Sequence, residues 1–306
     1  MAGEEIALTG SPALDPIAEP LARGTLALGS AGGGGLRWGI ADLSSVVEEA
    51  RARLDTSPVA AAALGRVLAG AALLLRLAPR SPSRLLLEVK GDGPLGQVLA
   101  EADDQGGLRG TVAQPQLELP RRDDGKLAVA GAVGSKGTLR VRREYAGGSY
   151  HSEVELVSGE IAKDLAHYLE QSEQTQSAVL LGVLVRPQGV TAAGGMIVEV
   201  APGADEAVLA TLEGNLASVV SFSRLLADTG ADGVLAQVLA GLEPETRQRC
   251  ELAYRCRCNR ARLQRYLAAL AAADAEALFA GEETVSAECS FCGARYSFRR
   301  GEMGLG

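Results

Sequence analysis

Rings are scarce in this chain: aromatic residues make up 4% of its 306 positions, with one Trp and two His. A protein that holds nucleic acid by stacking bases needs more of them. A formal net charge of −8 likewise argues against a whole-chain electrostatic grip on phosphate backbones. Also missing is any apolar run long enough for a signal peptide after Met-Ala-Gly-Glu-Glu. The longest apolar stretch, residues 59–78, is interrupted by Arg66 and Arg76, which a membrane span would have to bury; a core helix is expected instead. The expectation is a cytoplasmic chain without a membrane or nucleic-acid partner. The four-glycine run 32–35 is followed by Leu36-Arg37-Trp38, with neither a Lys-Ser/Thr pair nor an opening helix, so it reads as a hairpin turn or loop and not as a phosphate cradle.

What is present is aliphatic. Hydrophobic residues reach 47%, enough for a packed interior built from alanine and branched side chains. Residues 1–22 show no period and read as a loosely docked leader. Ser45 and Glu48 have capping-box spacing at the start of a helix running to about Leu54. Ser57 and Pro58 open a second helix, with Leu64, Leu68, Ala71, Ala72 and Leu75 on one face. Strands are expected at 85–89, 96–102, 107–112, 138–143, 152–157, 178–185 and 190–200, with a helix over about 160–172. Grouped strands and grouped helices give an α+β layered domain over 23–204. Residues 205–249 read as a connector of short helices, broken at Gly230 and Gly233 and closed by Pro244. Residues 250–306 are expected to form a separate small C-terminal module.

That module carries the chemistry. Cys256-Arg257-Cys258 is followed after thirty residues by Cys289-Ser290-Phe291-Cys292. Two short cysteine pairs separated by a helix-length insert are the usual layout of a four-sulfur Zn²⁺ site, one pair from each turn. Leu263, Leu267, Leu270, Leu278 and Phe279 suggest one or two helices in the insert, and Gly293 allows a tight turn after Cys292. The tail holds eight Arg against seven acids, so the net charge around its cysteines is +1 while the first 249 residues carry −9. Arg255, Arg257 and Arg260 favour thiolate over thiol. The single-residue gap between Cys256 and Cys258 would close a strained disulfide. Spacing and charge therefore leave an inert zinc knob and a redox switch both open. Cys250 is explained by neither, and His151 and His167 read as ordinary surface or core residues. No catalytic residue is expected, although a thiol–disulfide oxidoreductase using Cys289 and Cys292 and a nucleic-acid-binding zinc ribbon are competing readings.

The cysteine pattern resembles that of the heat shock protein 33 family, the redox-regulated holdase chaperones. So do Asp55-Thr56-Ser57-Pro58, Ala63-Leu64-Gly65-Arg66, Lys90-Gly91-Asp92-Gly93-Pro94-Leu95-Gly96, Arg109-Gly110, Gly137-Thr138-Leu139, residues 156–162, Ser172-Glu173-Gln174 and Ala193-Gly194-Gly195. The resemblance implies that Cys256, Cys258, Cys289 and Cys292 hold one Zn²⁺ in a reduced, inactive, monomeric state. It implies that oxidation pairs Cys256 with Cys258 and Cys289 with Cys292, releases zinc, loosens the connector and exposes apolar surface. Unfolding client proteins would bind there without ATP, to a homodimer. Two departures stand out: Cys250 offers an alternative disulfide partner, and Thr175-Gln176 stands where the family pattern has a proline.

Overall fold

The computed structural model describes residues 22–270, 272–279 and 281–303. The expected leader, but for Ala22, lies outside them. The chain divides into two compact units, one ending at Cys256 and the other beginning at Arg257.

The larger unit is built on a ten-stranded sheet. β1 (Arg23–Ala31) and β2 (Leu36–Asp42) pair antiparallel around a 3-10 turn at Gly32–Gly34, where three successive glycines take positive φ. This is the expected hairpin. α1 (Ser44–Leu54) and α2 (Pro58–Leu77) follow, then β3 (Arg84–Gly91), β4 (Gln97–Asp103), β5 (Gly107–Val112) and a short α3 (Val129–Val133). β6 (Gly137–Tyr145), β7 (Gly148–Glu155), α4 (Ile161–Gln171), β8 (Ser177–Arg186) and β9 (Gly189–Val200) continue the chain. α5 (Glu206–Ala217), α6 (Phe222–Val238) and β10 (Glu245–Tyr254) complete the unit. The strand order is β7-β6-β3-β4-β5-β10-β1-β2-β9-β8. The α+β expectation therefore describes the fold.

α2 is the central core helix. It is long and apolar enough to cross a membrane by length and composition, yet 89% of its most apolar window is buried inside the protein. Ser57 caps it, its hydroxyl accepting from Ala60 N at 3.3 Å, with Pro58 at the first helical position. A Cβ at Gly65 would lie 2.7 Å from Val183 on β8, so glycine lets helix and sheet approach.

Two local expectations are corrected. α1 does not use a capping box. Asp42 Oδ1 takes the Ser44 amide at 3.0 Å and the Ser44 hydroxyl at 2.6 Å, while Glu48 accepts from the Val190 amide at 2.7 Å and pairs with Arg51. The carboxylate has better partners across the fold than at the helix end. Residue 250, expected to begin the zinc module, lies inside β10, which pairs with β1 from Arg23↔Ala253 to Ser30↔Glu245. The turn where the family's proline is replaced has Gln174 at φ 54, and its Thr175 amide donates to Leu169 O at 2.9 Å.

The expected connector helices exist. α5 and α6 place Leu212, Phe222, Leu226, Val234 and Val238 over Leu36, Trp38, Ile40, Met196 and Val198 of β2 and β9. Gly230 (φ 69, ψ −179) interrupts α6, as its sequence suggests. Trp38 is fully buried in this cluster, its indole Nε1 donating to Ser30 O at 3.0 Å.

The smaller unit contains α7 (Arg260–Ala268), α8 (Ala272–Phe279) and the antiparallel hairpin β11 (Thr284–Glu288) with β12 (Arg295–Arg299). The two insert helices match the sequence expectation; the hairpin has no counterpart in it. Among its described residues the buried apolar side chains are Phe279, Cys292, Ala294, Tyr296 and Phe298. So small an apolar interior is marginal as an independent fold.

Candidate metal centre

The turn between β11 and β12 carries the second cysteine pair. Cys289 N donates to Ala294 O at 2.9 Å, and the amides of Cys292 and Gly293 return to Cys289 O at 3.1 and 2.8 Å. Gly293 takes φ 68, a left-handed conformation that costs glycine little. Its amide is spent on the Cys289 carbonyl, closing the turn that presents both sulfurs on one side. The first pair lies between β10 and α7. Asn259 ends it by capping α7, its side chain accepting from Arg262 N at 2.8 Å.

The Sγ atoms of Cys256, Cys258, Cys289 and Cys292 all lie within 4.8 Å of one another. Cys258 and Cys292 are 3.4 Å apart at sulfur, a contact and not a bond of about 2.05 Å. A tetrahedral ion with M–S bonds near 2.3 Å sets its sulfurs about 3.8 Å apart, so the donor set has the number, type and spacing for such an ion. Cys256 and Cys292 are buried and the other two half-buried. His151 and His167 take no part in the group, and Cys250 sits in β10 opposite Leu26 of β1.

Neighbouring groups tune these sulfurs. The Tyr296 hydroxyl donates to Cys258 Sγ at 3.2 Å. Burial, then that bond, then the charges of Cys258, Cys292 and Cys289 push the Tyr296 phenol above its ordinary value. It therefore stays a donor throughout the physiological range. One of the arginines nominated by sequence proximity is engaged elsewhere. Arg260 turns to Ser297 O and Glu302, both at 2.8 Å, and lies over the Phe298 ring at 4.7 Å, fastening α7 to the hairpin. A cation from far upstream also reaches a sulfur: Arg109 of β5, with Nη1 3.9 Å from Cys256 Sγ. In the sequence Arg109 stands out only as part of a family motif. Its 147-residue separation from Cys256 hides the contact from any local pattern.

Energetically, the Arg260–Glu302 pair is 45% and 38% exposed, and such pairs contribute only about 0–1 kcal/mol. Structural tetrathiolate sites contribute apparent binding energies of about 10–16 kcal/mol at neutral pH. A metal on these four thiolates would outweigh every exposed contact in the smaller unit.

A family profile described as Hsp33 protein matches residues 25–299. The chain belongs to the Hsp33 family. A 33 kDa chaperonin of Thermus thermophilus is 46% identical over 292 residues, covering 92% of this chain and 85% of its own length. The 33 kDa chaperonin of Symbiobacterium thermophilum is 43% identical over 89% of this chain and 92% of its own length. The crystal structure of the 33 kDa chaperonin (heat shock protein 33 homolog) from Thermotoga maritima superposes with a TM-score of 0.85 at 35% identity. It covers 92% of this chain and 96% of that one. The family is one of chaperones and not of enzymes, in line with the absence of a predicted catalytic residue. An Hsp33 chain that brings four thiols together is a chaperone with a site able to hold a metal ion.

Proposed function

We propose that this Hsp33 chain is a redox-regulated, ATP-independent holdase in the cytoplasm, and that its four-cysteine centre is the switch. The observation that carries the reading is the convergence of Cys256, Cys258, Cys289 and Cys292 within 4.8 Å in a chaperone-family chain. In the reduced state these thiolates hold one Zn²⁺. The ion, once bound, neutralises the sulfurs and ties the hairpin turn to the start of α7, and the chaperone is inactive and monomeric.

Oxidation acts on the sulfurs. A peroxide takes a thiolate to the sulfenic acid, releasing hydroxide; the neighbouring thiolate displaces a second hydroxide and forms the disulfide. Each disulfide thus consumes one peroxide, which takes up the two electrons that the sulfurs lose. Pairing Cys256 with Cys258 and Cys289 with Cys292 removes all four donors. A unit with so little apolar core then loses its order. In this reading α5 and α6 loosen in turn and uncover apolar surface, where unfolding clients bind and a second copy associates. The thiol–disulfide oxidoreductase is the weaker reading, since Cys289 and Cys292 lie among four sulfurs that a metal would quench.

Peroxide treatment at raised temperature, followed by a thermally unfolding client without ATP, tests the proposal. The oxidised protein should suppress client aggregation and the reduced protein should not. Peptide mapping of the active form should recover the Cys256–Cys258 and Cys289–Cys292 disulfides, and Cys250→Ser should leave them unchanged. Equal suppression by both forms would overturn the switch, and turnover of a disulfide substrate would favour the oxidoreductase.

A further inference from the structure

A chain of charged side chains on four strands of the large sheet leads to Cys256. Residues of β5 alternate: Leu108 and Gly110 face α2, a Cβ at Gly110 lying 2.7 Å from Leu64, so Arg109 projects from the opposite face. On that face Arg109 Nη2 pairs at 2.8 Å with Glu101 Oε2, its partner in register on β4. Glu101 is only 8% exposed and takes a second contact at 3.1 Å from Arg84 Nε of β3. Arg84 in turn reaches Glu144 of β6 at 2.8 Å. A charged side chain this enclosed is retained only where its partners are fixed, and here they fix the direction of the Arg109 fork. Its remaining arm, Nη1, lies 3.9 Å from Cys256 Sγ.

The backbone brings the sulfur to that arm. β10 pairs with β5 parallel at only two residue pairs, Ala253↔Gly107 and Tyr254↔Leu108. Ala253 N and Arg255 N donate to Gly106 O and Leu108 O, both at 2.8 Å, and Tyr254 is fully buried beside them. This short parallel clamp ends one residue before Cys256, and Arg109 stands next along β5.

We infer that Arg109, oriented by Glu101, is a positioning residue for the Cys256 sulfur: it holds that thiolate as a donor and sets how readily it leaves the metal centre. The inference rests on the proposed metal-binding reading and deepens it. A guanidinium is always charged and donates in a fixed fork. Beside an enclosed thiolate it supplies a charge-assisted N–H···S contact that the exposed arginines of the tail do not replace. Outer partners of this kind typically change metal affinity about 10–100-fold. Arg109 thus ties the sheet to the Cys256 sulfur.

The test uses the full-length chain loaded with Co²⁺ in place of Zn²⁺. Three measurements are made: sulfur-to-cobalt absorption, competition against a chelator, and the rate of metal release under peroxide. Variants are Arg109→Met, Arg109→Lys and the double variant Glu101→Gln/Arg109→Met, which leaves no enclosed carboxylate facing a missing cation. Arg109→Met and the double variant should bind Co²⁺ about 10–100-fold more weakly, shift the sulfur-to-cobalt band and release metal faster. Arg109→Lys should restore part of the affinity, because its charge reaches the sulfur without the fork. Far-ultraviolet circular dichroism of the double variant should match the parent. If all three variants keep parental affinity, band position and release rate, Arg109 is structural only and the inference is overturned. If the parent chain itself fails to give a tetrathiolate cobalt spectrum, the metal-binding reading fails first, so the two failures are distinguishable.

Discussion

The Tyr296 hydroxyl and Cys258 sulfur, 3.2 Å apart, show at the scale of single residues what surrounds the donor set. Tyr296 is 7% exposed on β12, so its hydroxyl has little water to turn to. Tyr296→Phe should keep the hairpin, since the ring remains, yet weaken metal binding about tenfold by removing a donor to the thiolate. Chelator competition reads this directly; unchanged affinity would mean the bond follows the sulfur without supporting it. The four cysteines are legible in the sequence because a metal site needs short-range pairs. Their cationic neighbour is not. Proximity nominates Arg255, Arg257 and Arg260, of which the last is spent on Ser297, Glu302 and Phe298, while Arg109 arrives from a strand far upstream.

At the scale of elements, helices are easier to read than strands. α2 announces itself through Pro58 and a long aliphatic face, and α5 and α6 through their leucines and the glycine break. β10 does not. Its first half, Glu245-Thr246-Arg247-Gln248-Arg249, is exposed and has no apolar alternation, and its place in the sheet comes from backbone pairing with β1. The β11–β12 hairpin is equally obscure because its strands span five residues each. Glu48, which has the spacing of half a capping box, instead holds α1 to the start of β9. The Arg51 bond, opposed by burial and aided by the Val190 amide, keeps its carboxyl below the ordinary value. A group depressed in the folded state contributes stability above its unfolded pKa and loses it as pH falls through the folded value. Glu48→Gln should therefore lower thermal stability near neutral pH, and the difference from the parent should shrink as pH falls below about 4.5. Melting curves across that window check the sign; a difference that grows on acidification would contradict it.

For the whole molecule, the proposed switch requires chemistry at the cysteines to be felt in the apolar cluster beneath α5 and α6. Trp38, the chain's one tryptophan, lies in that cluster with no exposed surface and reports on it without labelling. Its emission should shift to the red and become accessible to a soluble quencher on oxidation, and return when the thiols are reduced. An emission spectrum indifferent to oxidation would mean that the helices stay in place and clients bind elsewhere. The layered core and the four clustered sulfurs are readable from one sequence; which apolar surface the helices cover is not, because it depends on how β2 and β9 meet them.

If the four-thiol centre controls the chaperone, metal loss and activity must move together, and a joint time course shows whether they do. In one sample under peroxide at raised temperature, released zinc and suppression of client aggregation are followed together. One zinc per chain should be released, with holdase activity rising in step or just behind, and both should be reversed by a thiol reductant with zinc. Zinc leaving in full while aggregation proceeds unchecked, or activity appearing before any zinc is lost, would contradict that control.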